Sequence, residues 1–213
     1  MNKTREKILI TSLELFNKSG IEEVSLRDIS SKLNIRVGNL NYYFPSKNDI
    51  VHALCMDFIG KVDEAVGEIF KRSFENLFEL MYRQADIIFS IQLEYRFIFN
   101  KSYAEIITSL PSVQEHFTKV LKIRFDEWMN FHTLLVQQKL AQRRIITDSY
   151  PLSYILNILA LFWHQEASIY LPDLKDEHKK DHALSIMFHA YKPYLTKKGL
   201  DQLMPLLKKL EHY

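Results

Sequence analysis

The sequence predicts an all-α protein, and three observations support this. The 213 residues include five glycines and six prolines, so few positions interrupt regular structure. No run alternates apolar and polar residues for long enough to form a β-strand. Apolar residues instead recur three and four positions apart, the period of an amphipathic helix. With 47% hydrophobic and 25% charged residues, the composition is that of a globular protein of one or two domains.

Three short helices are predicted before residue 45. The first carries an apolar stripe and should end at Gly20, which can adopt a left-handed conformation. The second should open at Ser25 and Asp28, a variant of the capping box, and end at Asn34. The third is a very short helix over residues 37–43.

Longer helices are predicted for the rest of the chain. They cover approximately residues 46–70, 73–94, 95–110, 112–142, 151–171, 183–191 and 200–210. Pro111 should end the helix before it, and Pro205 should bend or break the last one. A charged loop over 173–181 should precede the helix that begins at 183.

The third helix has an unusual composition for so short a segment. Its sequence, VGNLNYY, holds two Asn and two Tyr, which are mediocre helix formers. Between Arg27 and Lys47 there are four basic residues and one acidic residue, so a mild positive field surrounds it. Asn can read adenine, Tyr hydroxyls can bind phosphate, and Gly38 would allow a close backbone approach. Two short helices joined by a tight turn form a helix-turn-helix, whose second helix enters a major groove.

The segments SLRDISSKLNI and RVGNLNYYFPSK, with the helices on either side, resemble the DNA-binding domain of the TetR (tetracycline-repressor-like) regulators over residues 4 to about 55. The resemblance implies an all-α homodimer that binds a palindromic operator on double-stranded DNA. Residues 1–47 would bind DNA, and residues 48–213 would bind a ligand and form the dimer. Most members of this family are repressors that a small ligand releases from the operator.

The same resemblance assigns DNA-binding residues. Arg27 would contact a base or phosphate, and Lys47 would bind phosphate. Asn41 stands where the family usually has Tyr, Tyr43 replaces a frequent His, and Arg36 replaces the usual Ser or Thr cap. The predicted DNA-binding residues are Arg27, Arg36, Asn39, Asn41, Tyr42, Tyr43 and Lys47.

Two later helices, 73–94 and 112–142, carry large side chains at helical spacing. Such stripes normally fill a core, but their rings could also frame a cavity with a few polar tips. The resemblance places an inducer in this region. The expected ligand is mostly apolar and does not carry several charges. Its predicted contacts are Tyr82, Phe89, Phe125, Trp128 and His132. The alternative for His132 is a hydrogen-bonded core histidine.

Helix 151–171 is apolar on more than one face, and a monomer could hardly bury them all. With the helix near 183–193 it should form an isologous four-helix bundle with a second copy of the chain. The predicted interface residues are Ile155, Leu159, Phe162, Leu184, Met187 and Tyr191.

An enzyme is disfavoured. No H-E-x-x-H, G-x-S-x-G, P-loop or G-x-G-x-x-G motif is found, and no cofactor or metal site is expected. His178 and His182 are four residues apart and could bind a metal from one helix face, but we expect them to be solvated surface residues. Cys55, the single cysteine, is expected to be a buried apolar residue rather than a redox sensor.

The most apolar run, 154–163, is too short for a membrane span, and no signal peptide is visible, so a cytoplasmic protein is expected. A helical interaction module without DNA binding, and a transcriptional activator, remain alternatives.

Overall fold

The computed structural model describes residues 3–69, 71, 73–74, 76–100 and 103–210. Within these residues there is no β-strand, which confirms the all-α prediction, and no helix is both long and apolar enough to cross a membrane. Two 3₁₀ turns cover Arg96–Phe99 and Lys192–Tyr194. The α-helices are α1 Lys3–Ser19, α2 Leu26–Lys32, α3 Val37–Tyr43, α4 Lys47–Ile69, α5 Leu77–Glu94, α6 Tyr103–Ser109, α7 Pro111–Gln137, α8 Arg144–Thr147, α9 Ser149–Tyr170, α10 Asp176–His189 and α11 Lys197–Leu210.

The first three helices have the predicted local signals. Gly20 follows α1 with φ of 84°. Ser25 and Asp28 form a capping box at the start of α2, in which the Ser25 backbone N–H donates to the Asp28 carboxylate at 2.8 Å. Asn34 adopts φ of 54° in the turn that leads to α3. Because these turns are fixed by local hydrogen bonds and backbone preferences, the sequence predicts their positions well.

Helix α4 connects the first three helices to the rest of the molecule. Ser46 and Asp49 bond to each other at its start, with the Ser46 N–H 2.8 Å from the Asp49 carboxylate. The early residues Ile50 and Leu54 are buried, and α4 packs against both α1 and α5. The predicted end of this helix near Phe70 lies outside the described residues.

The segment predicted as one helix over 95–110 is divided. Helix α5 ends at Glu94, a 3₁₀ turn covers Arg96–Phe99, and α6 begins at Tyr103. Phe97, Ile98 and Phe99 are all at most 3% exposed. The 3₁₀ turn directs the side chains of all three residues into the core between α5 and α6.

The helix before Pro111 ends there as predicted, since α6 stops at Ser109 and Leu110 is extended. Pro111 also opens α7, at a first-turn position where its missing N–H leaves no bond unmade. Helix α7 ends at Gln137, earlier than predicted, and Lys139 beyond it has φ of 58°. Helix α11 continues through Pro205, and the buried Leu203 and Leu207 on either side hold it in place.

The charged segment 173–181 is mostly helical, not a loop. Helix α10 begins at Asp176, whose carboxylate receives a hydrogen bond from Arg96 at 2.9 Å. The Lys180 ammonium lies 2.6 Å from the Asp86 carboxylate of α5. These ion pairs join α10 to α5 and to the turn after it. The acidic residues in the first turn of α10 also interact favourably with the helix dipole.

His132 of α7 lies at the centre of a buried polar cluster. Its Nδ1 is 2.6 Å from the Ser149 hydroxyl of α9, and its Nε2 is 3.1 Å from the hydroxyl of Tyr191, just after α10. His132, Ser149 and Tyr191 are each at most 1% exposed. Burial lowers the pKa of His132 to about 4, so the ring is neutral at pH 7.

We expect this cluster to make stability depend on pH. The unfolded state, with a His pKa near 6.5, binds the proton more readily than the folded state, so stability should fall as pH drops from 6.5 to 4. A shift of this size corresponds to roughly 3 kcal/mol. Urea unfolding at pH 4.5 and pH 7 should therefore show a smaller pH difference in His132→Gln than in the unsubstituted protein.

The control for this prediction is His52→Gln, because the His52 ring lies near the surface beside Ser112. It should keep the pH dependence of the unsubstituted protein. If His132→Gln also keeps that dependence, the buried ring is not its source.

Candidate DNA interface and ligand cavity

Helix α3 presents a polar face to solvent. Arg36, Asn39 and Asn41 are exposed, and Tyr42 is 82% exposed. Leu40 is fully buried and holds the helix against the core. Solvent-facing Asn and Tyr in a seven-residue helix do little for folding, so this face is available for a partner.

The two tyrosines differ in their surroundings. Their rings meet edge to face, with centroids 5.2 Å apart. Tyr43 is half-buried and packs against the core, whereas Tyr42 projects into solvent. Tyr43 thus has a packing role beside its predicted contact with DNA, and the hydroxyl of Tyr42 is the more exposed of the two.

Arg27 lies exposed on α2. Lys47, by contrast, is half-buried, and its ammonium donates hydrogen bonds to the backbone oxygens of Ile21, at 2.6 Å, and Val24, at 3.0 Å. An ammonium has three N–H donors, so at most one remains for a phosphate. The sequence suggested a phosphate contact rather than a stabilising role; the structure adds a stabilising one, because Lys47 fixes the turn between α1 and α2.

Gly38 has no evident role in folding. A Cβ placed there would meet nothing within 4 Å, and its φ is not in the left-handed region. A glycine inside a helix costs roughly 0.5–1 kcal/mol relative to alanine. Its presence on the exposed face of α3 is explained if another molecule approaches the backbone there.

We therefore expect Gly38→Ala to have opposite effects on stability and on binding. The free energy of unfolding should rise by up to about 1 kcal/mol, because alanine is the better helix former. Affinity for DNA should fall by about tenfold or more, because the methyl group would occupy the space of the partner. Urea unfolding and a mobility-shift assay measure the two effects. A variant that binds DNA as well as the unsubstituted protein would remove Gly38 from the interface.

A cavity of about 430 Å³ lies among α4, α5, α7, α9, α10 and the 3₁₀ turn Arg96–Phe99. Its walls are mainly apolar, and Phe58, Val62, Phe89, Phe99, Phe117 and Leu161 are among them. This volume is within the usual range of small-molecule sites. The aromatic stripes of α5 and α7 are therefore not packed solid against each other.

The predicted ligand contacts lie in different places. Phe89 and Trp128 line the cavity, but Tyr82, Phe125 and His132 do not. Tyr82 packs against Phe188 of α10, and Phe125 against Tyr150 and Tyr154 of α9. His132 belongs to the buried polar cluster described above.

The reason is the spacing along α7. Among the α7 positions that line the cavity, 117, 121, 124, 128 and 131 form a series that alternates steps of four and three residues. Position 124 is Arg, so an apolar pattern selects the neighbouring Phe125 and then His132 in place of Phe131. A regular 4-3-4-3 series interrupted by one cation is the signal that would have identified Arg124.

Sequence reasoning missed the polar side chains of the cavity, of which Arg124 and Asn157 are the least solvated without a close partner. Arg124 lines the cavity and is half-buried. Asn157 of α9 is 7% exposed, and its side-chain amide nitrogen has no hydrogen-bond partner in the described part of the chain. By contrast, the Gln92 amide is satisfied, because it accepts from the Trp163 indole at 2.7 Å and donates to the Ala160 carbonyl at 3.0 Å.

The predicted dimer residues divide in a similar way. Ile155 is 59% exposed and Phe162 is 39% exposed, and both lie on the outer face of α9 with the half-buried Leu159. The α10 part of the prediction is wrong, because Leu184, Met187 and Tyr191 are at most 1% exposed. They pack inside the protomer, where α10 contacts α5, α9 and α11. The outward apolar residues are Ile155, Ile158, Phe162 and Ile169 of α9 and Ile186 of α10.

Cys55 is fully buried, and burial raises the pKa of its thiol to about 12. A thiol that is protonated and inaccessible does not act as a redox sensor. Among the residues that the structure describes, no three His, Cys, Asp or Glu side chains converge as metal ligands. The α3 face and the apolar cavity are the candidate functional features of the described residues.

Comparison with protein families places both halves of the chain. Residues 8–54 match the family described as "Bacterial regulatory proteins, tetR family". Residues 57–203 match the family described as "Bacterial transcriptional repressor".

Among curated proteins, the chain is 25% identical over 164 residues to the "Probable HTH-type transcriptional regulator YttP" of Bacillus subtilis, with 74% of each chain covered. It is also 25% identical over 133 residues to the "Biofilm operon icaADBC HTH-type negative transcriptional regulator IcaR" of Staphylococcus epidermidis, which covers 58% of this chain and 62% of that protein. Both relatives are described as regulators of transcription.

Solved structures share the fold. A TetR-family transcriptional regulator from Marinobacter aquaeolei has a TM-score of 0.81 at 22% identity, with 98% of each chain covered. A regulator from Saccharomonospora viridis in complex with choline has a TM-score of 0.66 at 19% identity, with 89% of this chain and 97% of that chain covered. A gamma-butyrolactone receptor has a TM-score of 0.68 at 17% identity, with coverage of 98% and 96%.

Proposed function

The chain belongs to the tetR family of bacterial transcriptional regulators, and we propose that it is a repressor that binds a palindromic operator as a homodimer and leaves it when a small molecule fills the cavity. The observation that carries this proposal is the solvent-facing polar surface of α3. In this proposal α3 enters the major groove, Asn39 and Arg36 reach base edges, and Tyr42 and Arg27 reach phosphates.

The work is divided along the chain. Residues 1–47 bind DNA, and residues 48–213 bind the effector and form the dimer. Helix α4 belongs to both parts, since Ile50 is buried near its start, where α4 packs against α1, and Val62 lines the cavity. The described relatives support repression rather than activation, because one is named a negative regulator and the second family match is described as a repressor.

The dimer forms through the outer faces of α9 and α10. Ile155, Ile158, Phe162 and Ile186 are between 39% and 59% exposed, and together they form an apolar surface on adjacent helices. Contiguous apolar surface of this kind is typical of an interface. An isologous contact would bury the same residues on both copies.

The effector acts through two connections between the cavity and the DNA-binding helices. The first is α4, whose Phe58 lines the cavity and packs against Phe99 of the first 3₁₀ turn, with their ring centroids 5.3 Å apart. The second is Asn17 of α1, which donates to the Glu94 carbonyl at 2.7 Å and accepts from the Phe97 N–H at 3.0 Å. A ligand between these attachments would change the tilt of α4 relative to α1 and α5.

In a dimer such a tilt would change the distance between the two α3 helices, which must match the spacing of the operator half-sites. The ligand shifts this equilibrium only by its differential affinity for the two spacings. Structures of similar fold that are described as a choline complex and a gamma-butyrolactone receptor support a small-molecule effector in general.

The DNA proposal is tested by selection from randomised duplexes with the purified full chain. We expect a palindromic sequence to be enriched, with affinity that falls steeply as salt rises. Asn39→Ala should relax the preference at one base position per half-site, at a cost of about 1–3 kcal/mol. Asn130→Ala is the matched control, because Asn130 is exposed on α7, away from α3. The interaction-module alternative would be favoured if no duplex is enriched, or if Asn39→Ala retains the full preference.

The dimer proposal predicts that Ile158→Glu yields monomers in sedimentation experiments at micromolar concentration. Ile158 is 47% exposed in the protomer, so the variant should fold, while a buried carboxylate at the interface would oppose association. Ile146→Glu is the control, because Ile146 is similarly exposed, at 42%, but lies on α8. An unsubstituted chain that sediments as a monomer would contradict the proposal, as would a dimeric Ile158→Glu variant.

A further inference from the structure

Arg124 is unusual among the cations of this protein because it faces an apolar cavity. Leu121 and Trp128 flank it one helical turn away on α7, and both line the same cavity. Burial lowers the pKa of Arg124, and the negative charges of Glu127 and Asp63 partly oppose that effect. Within the described residues, no carboxylate lies within 4.0 Å of its guanidinium. A desolvated cation without a close counterion is unfavourable unless a further group pairs with it.

The two acidic residues that line the cavity do not need a counterion from a ligand. Asp63 and Glu127 are both exposed, so water already solvates their carboxylates. A ligand cation would gain little from solvated surface carboxylates. A ligand carboxylate could instead form two parallel charge-assisted hydrogen bonds with the guanidinium of Arg124. The charge distribution therefore favours an anion, although the cavity holds two acidic residues and one arginine.

Asn157 provides an independent indication that the cavity accommodates a ligand. Its side chain is more than nine-tenths buried, lines the cavity and leaves the amide nitrogen without a partner in the described part of the chain. Nearly all buried donors in native proteins are satisfied, so an unpaired donor on a cavity wall indicates that a partner binds there. The neighbouring Gln92 is fully engaged by Trp163 and Ala160 and does not compete for that partner.

The remaining walls set the body of the ligand. They are formed mainly by aliphatic and aromatic side chains, and the volume is about 430 Å³. A single guanidinium can neutralise one carboxylate but not several phosphates. An apolar body with one negative group therefore matches both the walls and the charge.

We propose that the effector is an apolar monocarboxylate, such as an acyl or arylalkyl acid, whose carboxylate pairs with Arg124 while Asn157 donates a hydrogen bond to a polar group of the ligand. As the identity of the effector, this rests on the proposed function. The binding step itself requires no DNA and is measured separately.

The test compares three probes with the same alkyl chain below their micelle concentrations, namely decanoate, decan-1-ol and decyltrimethylammonium. Calorimetric titration of the full chain, with Trp128 fluorescence as a second signal, gives the affinities. We expect decanoate to bind about tenfold or more tighter than the alcohol, and the ammonium to bind more weakly still. Arg124→Gln should reduce decanoate to the level of the alcohol and leave the alcohol within twofold.

Lys122→Gln is the matched control, because Lys122 is an exposed cation of the same helix and does not line this cavity. It should change none of the three affinities. The proposal is overturned if the unsubstituted chain fails to bind decanoate at millimolar concentration, binds the alcohol or the ammonium as tightly, or keeps its preference for decanoate in Arg124→Gln.

Asn157→Leu tests the second contact in the ligand-free protein. Removing an unsatisfied buried donor should raise the melting temperature by about 2–4 °C. A fall in melting temperature would show that Asn157 has a structural partner and would remove it from the ligand site. A mobility-shift assay on the same preparations separates the two proposals. Intact DNA binding without carboxylate selectivity contradicts only the effector class, whereas carboxylate selectivity without DNA binding contradicts only the regulatory function.

Discussion

The end of α5 leaves backbone groups without helical partners, and Asn17 of α1 satisfies two of them with one side chain. Its amide donates to the Glu94 carbonyl and accepts from the Phe97 N–H. The same corner is held from α4, because the Tyr95 hydroxyl donates to Asp57, and from α9, because Gln165 donates to the Phe99 carbonyl. Helix ends that are buried must find such partners. The position of α1 and of the helices packed against it is thus fixed by the requirement to satisfy the turn that follows α5.

Buried polar groups in this protein serve two different purposes. The His132 cluster is fully paired, because the His132 ring of α7 bonds to Ser149 of α9 and to Tyr191 just after α10, so it stabilises one arrangement of these three elements. Asn157, two turns beyond Ser149 on the same helix α9, is unpaired beside a cavity. Paired groups specify the fold, whereas the unpaired amide at the cavity wall costs stability, and the proposed ligand would satisfy it.

The apolar surface follows the same logic on a larger scale. Helix α9 is apolar almost all round, and its inner side, with Leu156 and Trp163, fills the protomer core. Its outer side, with Ile155 and Ile158, has no cover within the protomer. Helix α10 has no such surplus, since α5, α9 and α11 surround it and Ile186 is its outward apolar residue. The interface of the proposed dimer is therefore centred on α9.

The sequence by itself determined the all-α class, the first three helices with their turns, and the family resemblance. Ser25 with Asp28, Asn34 and Gly20 act on residues within one turn of themselves, and the exposed residues of α3 follow from the position of Leu40 in a seven-residue helix. Local hydrogen bonds and a single buried contact are enough to fix such features. Of the predicted ligand contacts, Phe89 and Trp128 line the cavity.

Only the tertiary structure decided which face of each later helix meets which neighbour. Tyr82, Phe125, Leu184 and Met187 are all apolar enough for several environments, and a shift of one residue on a helix turns a side chain by about 100°. Arg124 could not be placed in the cavity from its polarity, because charged residues are normally exposed. These assignments depend on contacts between residues far apart in the chain, which arise only when α4, α5, α7 and α9 pack together.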